Sequence, residues 1–237
     1  MTSKVFFEKK VVVSGASKGI GLAIAKSFVL KGAEVFLLAS NQKRLELAVS
    51  SIQPDIEKKI RFFAIDLRTS DGCNKAYKES LRCLGEVDFL INAAGATKSG
   101  RFLEQPDDQM IDGFALKFYS AVRLSRLFWP NLKLKAGEVI NIVGGFARTP
   151  DPDFMVGGAV NAALANFSKA LAGQGLRDNI NVNWVHPGIT VTDRTDEILE
   201  AQAKLYGKSR EVLIKEKVAE EKIRRLGQPE DVAELVS

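Results

Sequence analysis

VVVSGASKGIG, residues 11–21, is the stretch that decides the fold. Val11, Val12 and Val13 are β-branched and apolar in a row, as in a strand buried on both faces, and the glycine-spaced turn after them runs straight into a helical pattern over residues 22–29. The unit is a strand, a tight turn and a helix N-terminus. Such an end offers unpaired N–H groups and a partial positive charge, which suits the pyrophosphate of a dinucleotide. Gly15 allows the sharp turn, Gly19 the close approach of a phosphate, and Gly21 the packing of helix on strand. Taken alone, the pattern also fits an ordinary βα connection.

The chain on either side repeats the theme. Residues 34–39 (EVFLLA) read as a second strand and 41–52 as a helix with apolar Leu45, Ala48, Val49 and Ile52, closed by Pro54. Residues 60–65 (IRFFAI) form a third strand running into Asp66 and Leu67, 71–84 a third helix, and 87–92 (VDFLIN) a fourth strand. In the second half, 109–134 supports a long helix, 138–143 (EVINIV) a fifth strand, 156–176 a second long helix rich in small residues, and 180–185 a sixth strand. A loop over 186–193, a charge-rich helical excursion over 195–225 and a helix over 228–236 opening at Pro229 complete the chain. Strands alternating with helices imply parallel βαβ units with right-handed crossovers. The expected fold is a single α/β domain with a doubly wound, six-stranded parallel sheet of Rossmann type, ligands lying at the C-terminal ends of the strands.

Composition narrows the function classes. With 237 residues and 46% hydrophobic residues, the chain can bury one sizeable core. Its 34 Lys and Arg against 29 Asp and Glu are interspersed, giving +5 without a basic block, so nucleic acid is not an expected partner. No apolar stretch is long enough for a membrane span, and MTSKVFFEKK at the start lacks a signal-peptide core. Cys73 and Cys83, the chain's 2 cysteines, give neither a disulfide framework nor metal-ligand spacing. A cytoplasmic protein acting on a small molecule, without a metal, is the expectation.

Three motifs in order, the glycine turn, NAAG at Asn92, Ala93, Ala94 and Gly95, and HPG followed by Thr192, together resemble the short-chain dehydrogenase/reductase superfamily over essentially the whole chain. The resemblance implies an NAD(P)(H) cofactor, alcohol–ketone interconversion, and a homodimer or homotetramer built through the two long helices. It places Gly15, Ser17, Lys18, Gly19, Ile20 and Gly21 at the phosphates and Asp66 and Leu67 at the adenine. Asn92–Gly95 would back the ribose and brace the sheet, and Pro187, Gly188, Ile189, Thr190 and Thr192 would frame the nicotinamide. Asn92 can equally tie neighbouring strands together. A carboxylate at the end of the second strand would select NAD; here the chain reads Ala39, Ser40, Asn41. With Lys18, Ser40 and Asn41 as donors to a 2′-phosphate, NADP(H) is favoured over NAD(H), although Lys18 also reads as a solvated surface lysine.

The catalytic positions depart from the superfamily. Its reaction uses a tyrosine and a lysine spaced YxxxK, a serine and an asparagine. Alignment back from Ala159, Phe167 and Leu171 puts the tyrosine and lysine positions at Gly157 and Asn161, the serine position at Gly144 and the asparagine position at Lys117. No tyrosine or lysine occurs between Gly144 and Phe167, so a one-residue slip rescues nothing. GGAVNAAL together with Leu116 and Lys117 resembles an atypical bacterial subgroup that lacks the Asn-Ser-Tyr-Lys set.

Two readings follow. In one, the chain is a reductase with a rearranged site, Lys117 acting as proton donor or carbonyl electrophile with a pKa lowered by burial, and Asn161 holding the ribose or a substrate oxygen. His186 is then a second acid, or simply a loop histidine bonded to backbone. In the other, Lys117 fills space left by the missing residues and the protein is a dinucleotide-binding scaffold or regulatory subunit. Phe146, Phe154, Met155 and residues 195–206 are expected around the substrate, and Tyr119 in the core or an interface. Superfamily members continue into a seventh strand and a glycine-rich tail, so this chain is expected to lack that segment.

Overall fold

The computed structural model describes residues 5–52 and 60–237; Pro54 lies outside them. Along the chain these form β1 (Lys10–Ser14), α1 (Gly19–Leu30), β2 (Glu34–Ala39), α2 (Gln42–Ser50), β3 (Ile60–Ala64), α3 (Ser70–Leu84) and β4 (Phe89–Asn92). Then come α4 (Asp107–Gly113), a π-helical stretch (Phe114–Tyr119), α5 (Ser120–Lys135), β5 (Glu138–Ile142), α6 (Met155–Asp178), β6 (Asn181–Val185), α7 (Asp193–Tyr206), α8 (Arg210–Glu220) and α9 (Pro229–Val236). The strands make one 6-stranded sheet in the order β3-β2-β1-β4-β5-β6, and every pairing is parallel. This is the expected doubly wound Rossmann-type architecture, with the order reversing between β1 and β4.

β1 sits inside the sheet because its run of valines is apolar towards both faces. Val11, Val12 and Val13 are fully buried, and alternate residues serve opposite faces. Val11 and Val13 pack with Ile24 and Phe28 of α1, Leu45 of α2 and Val232 of α9. Val12 packs with Cys73 and Ala76 of α3 and with Leu124 and Phe128 of α5. α6 covers the β5–β6 end through Leu164, which meets Val143 and Ala121. Each fully buried aliphatic side chain contributes about 1.5–3 kcal/mol, so the two layers hold the strand ends in fixed register.

Two expectations change. The long helix expected over 109–134 is not continuous α-helix: it begins at Asp107 and passes through the six-residue π-helical stretch Phe114–Tyr119, which apolar spacing does not reveal. Tyr119 is 47% exposed and lies under Arg123, 5.3 Å from the guanidinium carbon to the ring centroid, so it is not core. No helix among the described residues is long and apolar enough to cross a membrane.

Candidate functional site

A cleft of about 830 Å³ opens along the C-terminal ends of the strands. Its β1–β3 half is chiefly backbone. Gly15 sits at φ +71°, and a Cβ there would fall 2.7 Å from the backbone of Ala94, so the turn requires glycine both for its dihedral and for the close approach. The Ser14 hydroxyl accepts from Ala93 N and Ala94 N, each at 3.2 Å, pinning the end of β4 against this turn. α1 then starts at Gly19 with no side-chain cap and no acidic residue in its first turn. Its N-terminal N–H groups therefore remain available to an anion in the cleft. Thr192, which caps α7, stands opposite: a Cβ on Gly19 would meet its methyl at 3.4 Å.

Ser17, Lys18, Gly19, Ile20, Gly21, Ser40, Asp66 and Leu67 all line this half. Lys18 Nζ lies 3.2 Å from Asp193 Oδ2, so it bridges the β1–α1 turn and the start of α7. Sequence reading missed Arg68, which lines the same wall between Asp66, at 3.1 Å, and Asp112 of α4. The hydrogen bond to Asp112 is the largest cause raising the Arg68 pKa, partial burial opposes it, and Asp66 adds to it. An arginine following Asp66-Leu67 was visible in the sequence, but its partner 44 positions away was not.

The β4–β6 half is built from side chains that occupy the space above glycines. Lys117 projects from the π-helical stretch, crosses Gly95 and donates to the carbonyl of Val143 at the end of β5. A Cβ on Gly95 would stand 2.9 Å from Lys117 Cδ. Asn161 of α6 is 4% exposed and its Oδ1 has no hydrogen-bond partner among the described residues. It lies against Gly144, where a Cβ would come 2.8 Å from Asn161 Nδ2. The ring of Phe154 covers Gly157, overlapping the position a Cβ would take, and pairs with Phe146 at 5.0 Å between centroids. Lys117, Asn161, Phe146, Phe154, Gly95 and Gly144 line the one cleft. A cation, an unsatisfied amide oxygen and an aromatic pair are thereby brought together.

Ala93, Ala94, Pro187, Gly188, Ile189, Thr190 and Thr192 also line the cleft. Two expected contacts do not. Asn41 caps α2 instead, its Oδ1 accepting from Arg44 N at 2.9 Å, because the short side chain follows the backbone into the helix start. Asn92 is 3% exposed and donates to Asn141 Oδ1 at 2.8 Å and Ser125 Oγ at 3.3 Å, so it ties β4 to β5 and α5. His186 is absent from the lining as well; its Nδ1 lies 3.1 Å from the carbonyl oxygen of Gly144, the bland alternative for that residue. No cluster of His, Cys, Asp and Glu suited to a metal occurs among the described residues.

With this geometry in view, the family model described as short chain dehydrogenase matches residues 9–203. The chain belongs to the short-chain dehydrogenase family. This short-chain dehydrogenase is 29% identical to the uncharacterized oxidoreductase YvaG of Bacillus subtilis (strain 168), over 97% of this chain and 88% of that protein. It is 30% identical to the 3-oxoacyl-[acyl-carrier-protein] reductase FabG of Haemophilus influenzae, over 82% and 79% of the two chains. Among solved structures it superposes on L-sorbose reductase from Gluconobacter frateurii, complexed with NADPH and L-sorbose, with a TM-score of 0.90 and 29% identity, covering 100% of this chain and 90% of that one. A short-chain dehydrogenase from Burkholderia cenocepacia in complex with NADP gives a TM-score of 0.80 at 25% identity, over 98% and 89% of the chains.

Proposed function

We propose that this short-chain dehydrogenase is an NADP(H)-dependent oxidoreductase that interconverts a small carbonyl compound and its alcohol through a non-standard site. The observation that carries the reading is the course of Lys117: a π-helical stretch delivers it over Gly95 into the cleft, and the Val143 carbonyl fixes its ammonium there. The uncapped N-terminus of α1 and the Gly15 turn fit a pyrophosphate. Lys18 and Ser40 line the wall where a 2′-phosphate would lie, and the end of β2 carries no carboxylate to repel it. NADPH and NADP are also the cofactors found with the Gluconobacter and Burkholderia proteins.

When bound, the dinucleotide supplies a hydride to the carbonyl carbon. Lys117 delivers the proton to the carbonyl oxygen and, as a cation, stabilises the negative charge developing on it. Asn161 holds an oxygen of the ribose or the substrate through its side-chain amide. Phe154 and Phe146 exclude water from the reacting carbonyl. Assembly through α5 and α6 and a cytoplasmic location belong to the same reading, and sizing in solution tests the first.

The test is a fluorescence titration with NADPH followed by a carbonyl panel assayed for NADPH oxidation. Turnover that disappears in Lys117→Ala, with NADPH affinity retained, supports the reading; binding with no hydride transfer to any carbonyl sinks it. One observation favours the alternative of a binding scaffold without turnover: the Phe154 ring fills the space over Gly157, where the superfamily resemblance places the proton-donating tyrosine.

A further inference from the structure

Two ties hold the loop after β3 to the helix that carries Lys117, one on each side of the π-helical stretch. Before the stretch, near the end of α4, Asp112 takes two N–H groups of the Arg68 guanidinium. Arg68 Nε donates to Asp112 Oδ1, and Nη2 donates to Oδ2 at 3.2 Å. Beyond the stretch, near the start of α5, Arg123 Nη1 donates to the carbonyl oxygen of Arg68 at 2.7 Å, with its guanidinium also over the Tyr119 ring. Asp66 shapes the loop itself, its Oδ1 accepting from Arg68 N at 3.0 Å and from Arg68 Nη1 at 3.1 Å. Two parallel N–H donors on the two oxygens of one carboxylate fix orientation as well as distance, which a point contact does not.

An i→i+5 turn takes in one residue more than an α turn, so side chains beyond it are rotated by about 100° relative to a straight α-helix. The direction in which Lys117 leaves the helix therefore depends on the register of Phe114–Tyr119. The apolar pattern of that stretch also suits an α-helix, so its own sequence does not hold the register. The opposite side of the segment is packed: a Cβ on Gly113 would meet Thr97 Cγ2 at 3.0 Å and Val156 Cγ1 at 3.2 Å. Asp66, Leu67 and Arg68 line the β1–β3 half of the cleft and Lys117 the β4–β6 half, whereas Asp112 is not among the described residues that line it. The ties thus join the two halves from behind the cleft.

We infer that Arg68 is a positioning residue. Through Asp112 it holds the π-helical stretch in the register that aims Lys117 into the cleft, and it thereby couples occupancy of the β1–β3 half to Lys117. The kinetic consequence rests on the carbonyl-reductase reading above; the coupling needs only a dinucleotide in the cleft. A ligand that settles against Asp66, Leu67 and Arg68 stiffens the loop, and both ties pass that restraint to the ends of the π-helical stretch.

The experiment is amide hydrogen exchange of the full chain, read over residues 114–119, with and without saturating adenosine 2′,5′-bisphosphate, a fragment that has no nicotinamide. The fragment should slow exchange there in the unaltered protein. The paired side chains are 32% and 43% exposed, so their tie is of modest strength. In Asp112→Asn, exchange over the stretch should be roughly three- to fivefold faster, and the fragment should no longer slow it. Arg68→Lys, which keeps the charge without the two-pronged contact, should fall between the unaltered protein and Arg68→Ala. In turnover of a carbonyl by NADPH, Asp112→Asn should lower kcat by a similar factor and leave the NADPH dissociation constant within about twofold. In a Lys117→Ala background the same substitution should cost no further turnover, because nothing is left to position. A fragment that does not bind, exchange over 114–119 indifferent to Asp112→Asn, or losses in kcat that multiply in the double variant would overturn the inference. If the unaltered protein turns over no carbonyl, the reductase reading fails, and the exchange measurements alone decide whether the ties act as described.

Discussion

The two halves of the cleft are made of different material. Over β1, β2 and β3 the walls are largely backbone, set by the Gly15 turn, the start of α1 and the ends of the strands. Over β4, β5 and β6 they are side chains laid across glycines, Lys117 over Gly95, Asn161 against Gly144 and Phe154 over Gly157. A backbone site depends on few residue choices, because peptide N–H groups present themselves whatever the side chain, provided the turn can form. A side-chain site depends on pairs, one member supplying the group and the other vacating the space. The first half therefore suits one invariant ligand part, a phosphate, and the second is where chemistry can be altered.

The largest effect expected on either half comes from Gly15→Val. It places a β-branched side chain at φ +71° with its Cβ 2.7 Å from the Ala94 backbone, and backbone cannot swing aside. Strain of this kind costs about 1–3 kcal/mol before the clash is counted. NADPH binding should be lost and the thermal midpoint should fall, whereas a variant that still bound NADPH with native affinity would show that the turn does not build the site. On the other half, Lys117→Ala should lower kcat by roughly 10²–10⁴, the range of a general acid, and leave the NADPH dissociation constant within about twofold. Stability should drop only by about 1 kcal/mol, for the lost bond to the Val143 carbonyl. Equal losses in binding and turnover would erase the distinction between the halves.

This difference also explains what could be read in advance. The run of valines and the glycine spacing announced β1, the turn and α1, because burial on both faces and a positive-φ turn each leave a local mark on composition. All six strands were legible for the same reason, within two residues at each end. The π-helical stretch was not, since Phe114–Tyr119 keeps an apolar pattern compatible with an α-helix. Asn92 had two polar duties open to it and Asn41 was expected beside a 2′-phosphate; in the packed fold Asn92 ties strands and Asn41 caps a helix. Nor could the interlock of Asn161 with Gly144 be seen, because it joins residues that meet only once α6 packs on the end of β5. The Lys117 and Asn161 positions came from alignment to a family pattern, and the reason they can be occupied lies in the glycines beside them.

A smaller effect probes whether those glycines and their neighbours act as pairs. Gly157→Tyr should not create a usable tyrosine, because Phe154 already occupies the space over residue 157; overpacking of this sort costs about 1–3 kcal/mol. Phe154→Ala alone opens a void next to Phe146. Combined, the two substitutions should destabilise less than the sum of the singles, with a coupling of about 1 kcal/mol or more in a denaturation cycle. Strict additivity would mean that ring and glycine do not share one space.

The smallest effect separates the halves by pH. Cys73 of α3 is fully buried and its thiol lies 3.3 Å from the carbonyl oxygen of Leu67, which lines the β1–β3 half of the cleft. Burial, the largest cause, pushes its pKa from 9.0 up to about 11; Arg123 works in the opposite direction and Asp66 in the same one. A raised thiol pKa means that the unfolded chain loses its proton first as the pH climbs. Stability is therefore undiminished below pH 9.0 and declines as the pH rises from there towards about 11. The slope approaches but does not exceed about 1.4 kcal/mol per pH unit. Lysines and tyrosines titrate over the same range, so the quantity to measure is the difference between the unaltered protein and Cys73→Ala in denaturant midpoints taken at pH 8 and pH 10.5. The alanine variant should lose less stability over that interval, and the folded protein at pH 8 should leave Cys73 unalkylated by iodoacetamide. Because the thiol bonds to the carbonyl of Leu67, in the loop after β3, the alkaline loss should appear first as weakened NADPH binding. A loss of turnover at unchanged NADPH affinity would place the alkaline transition in the other half.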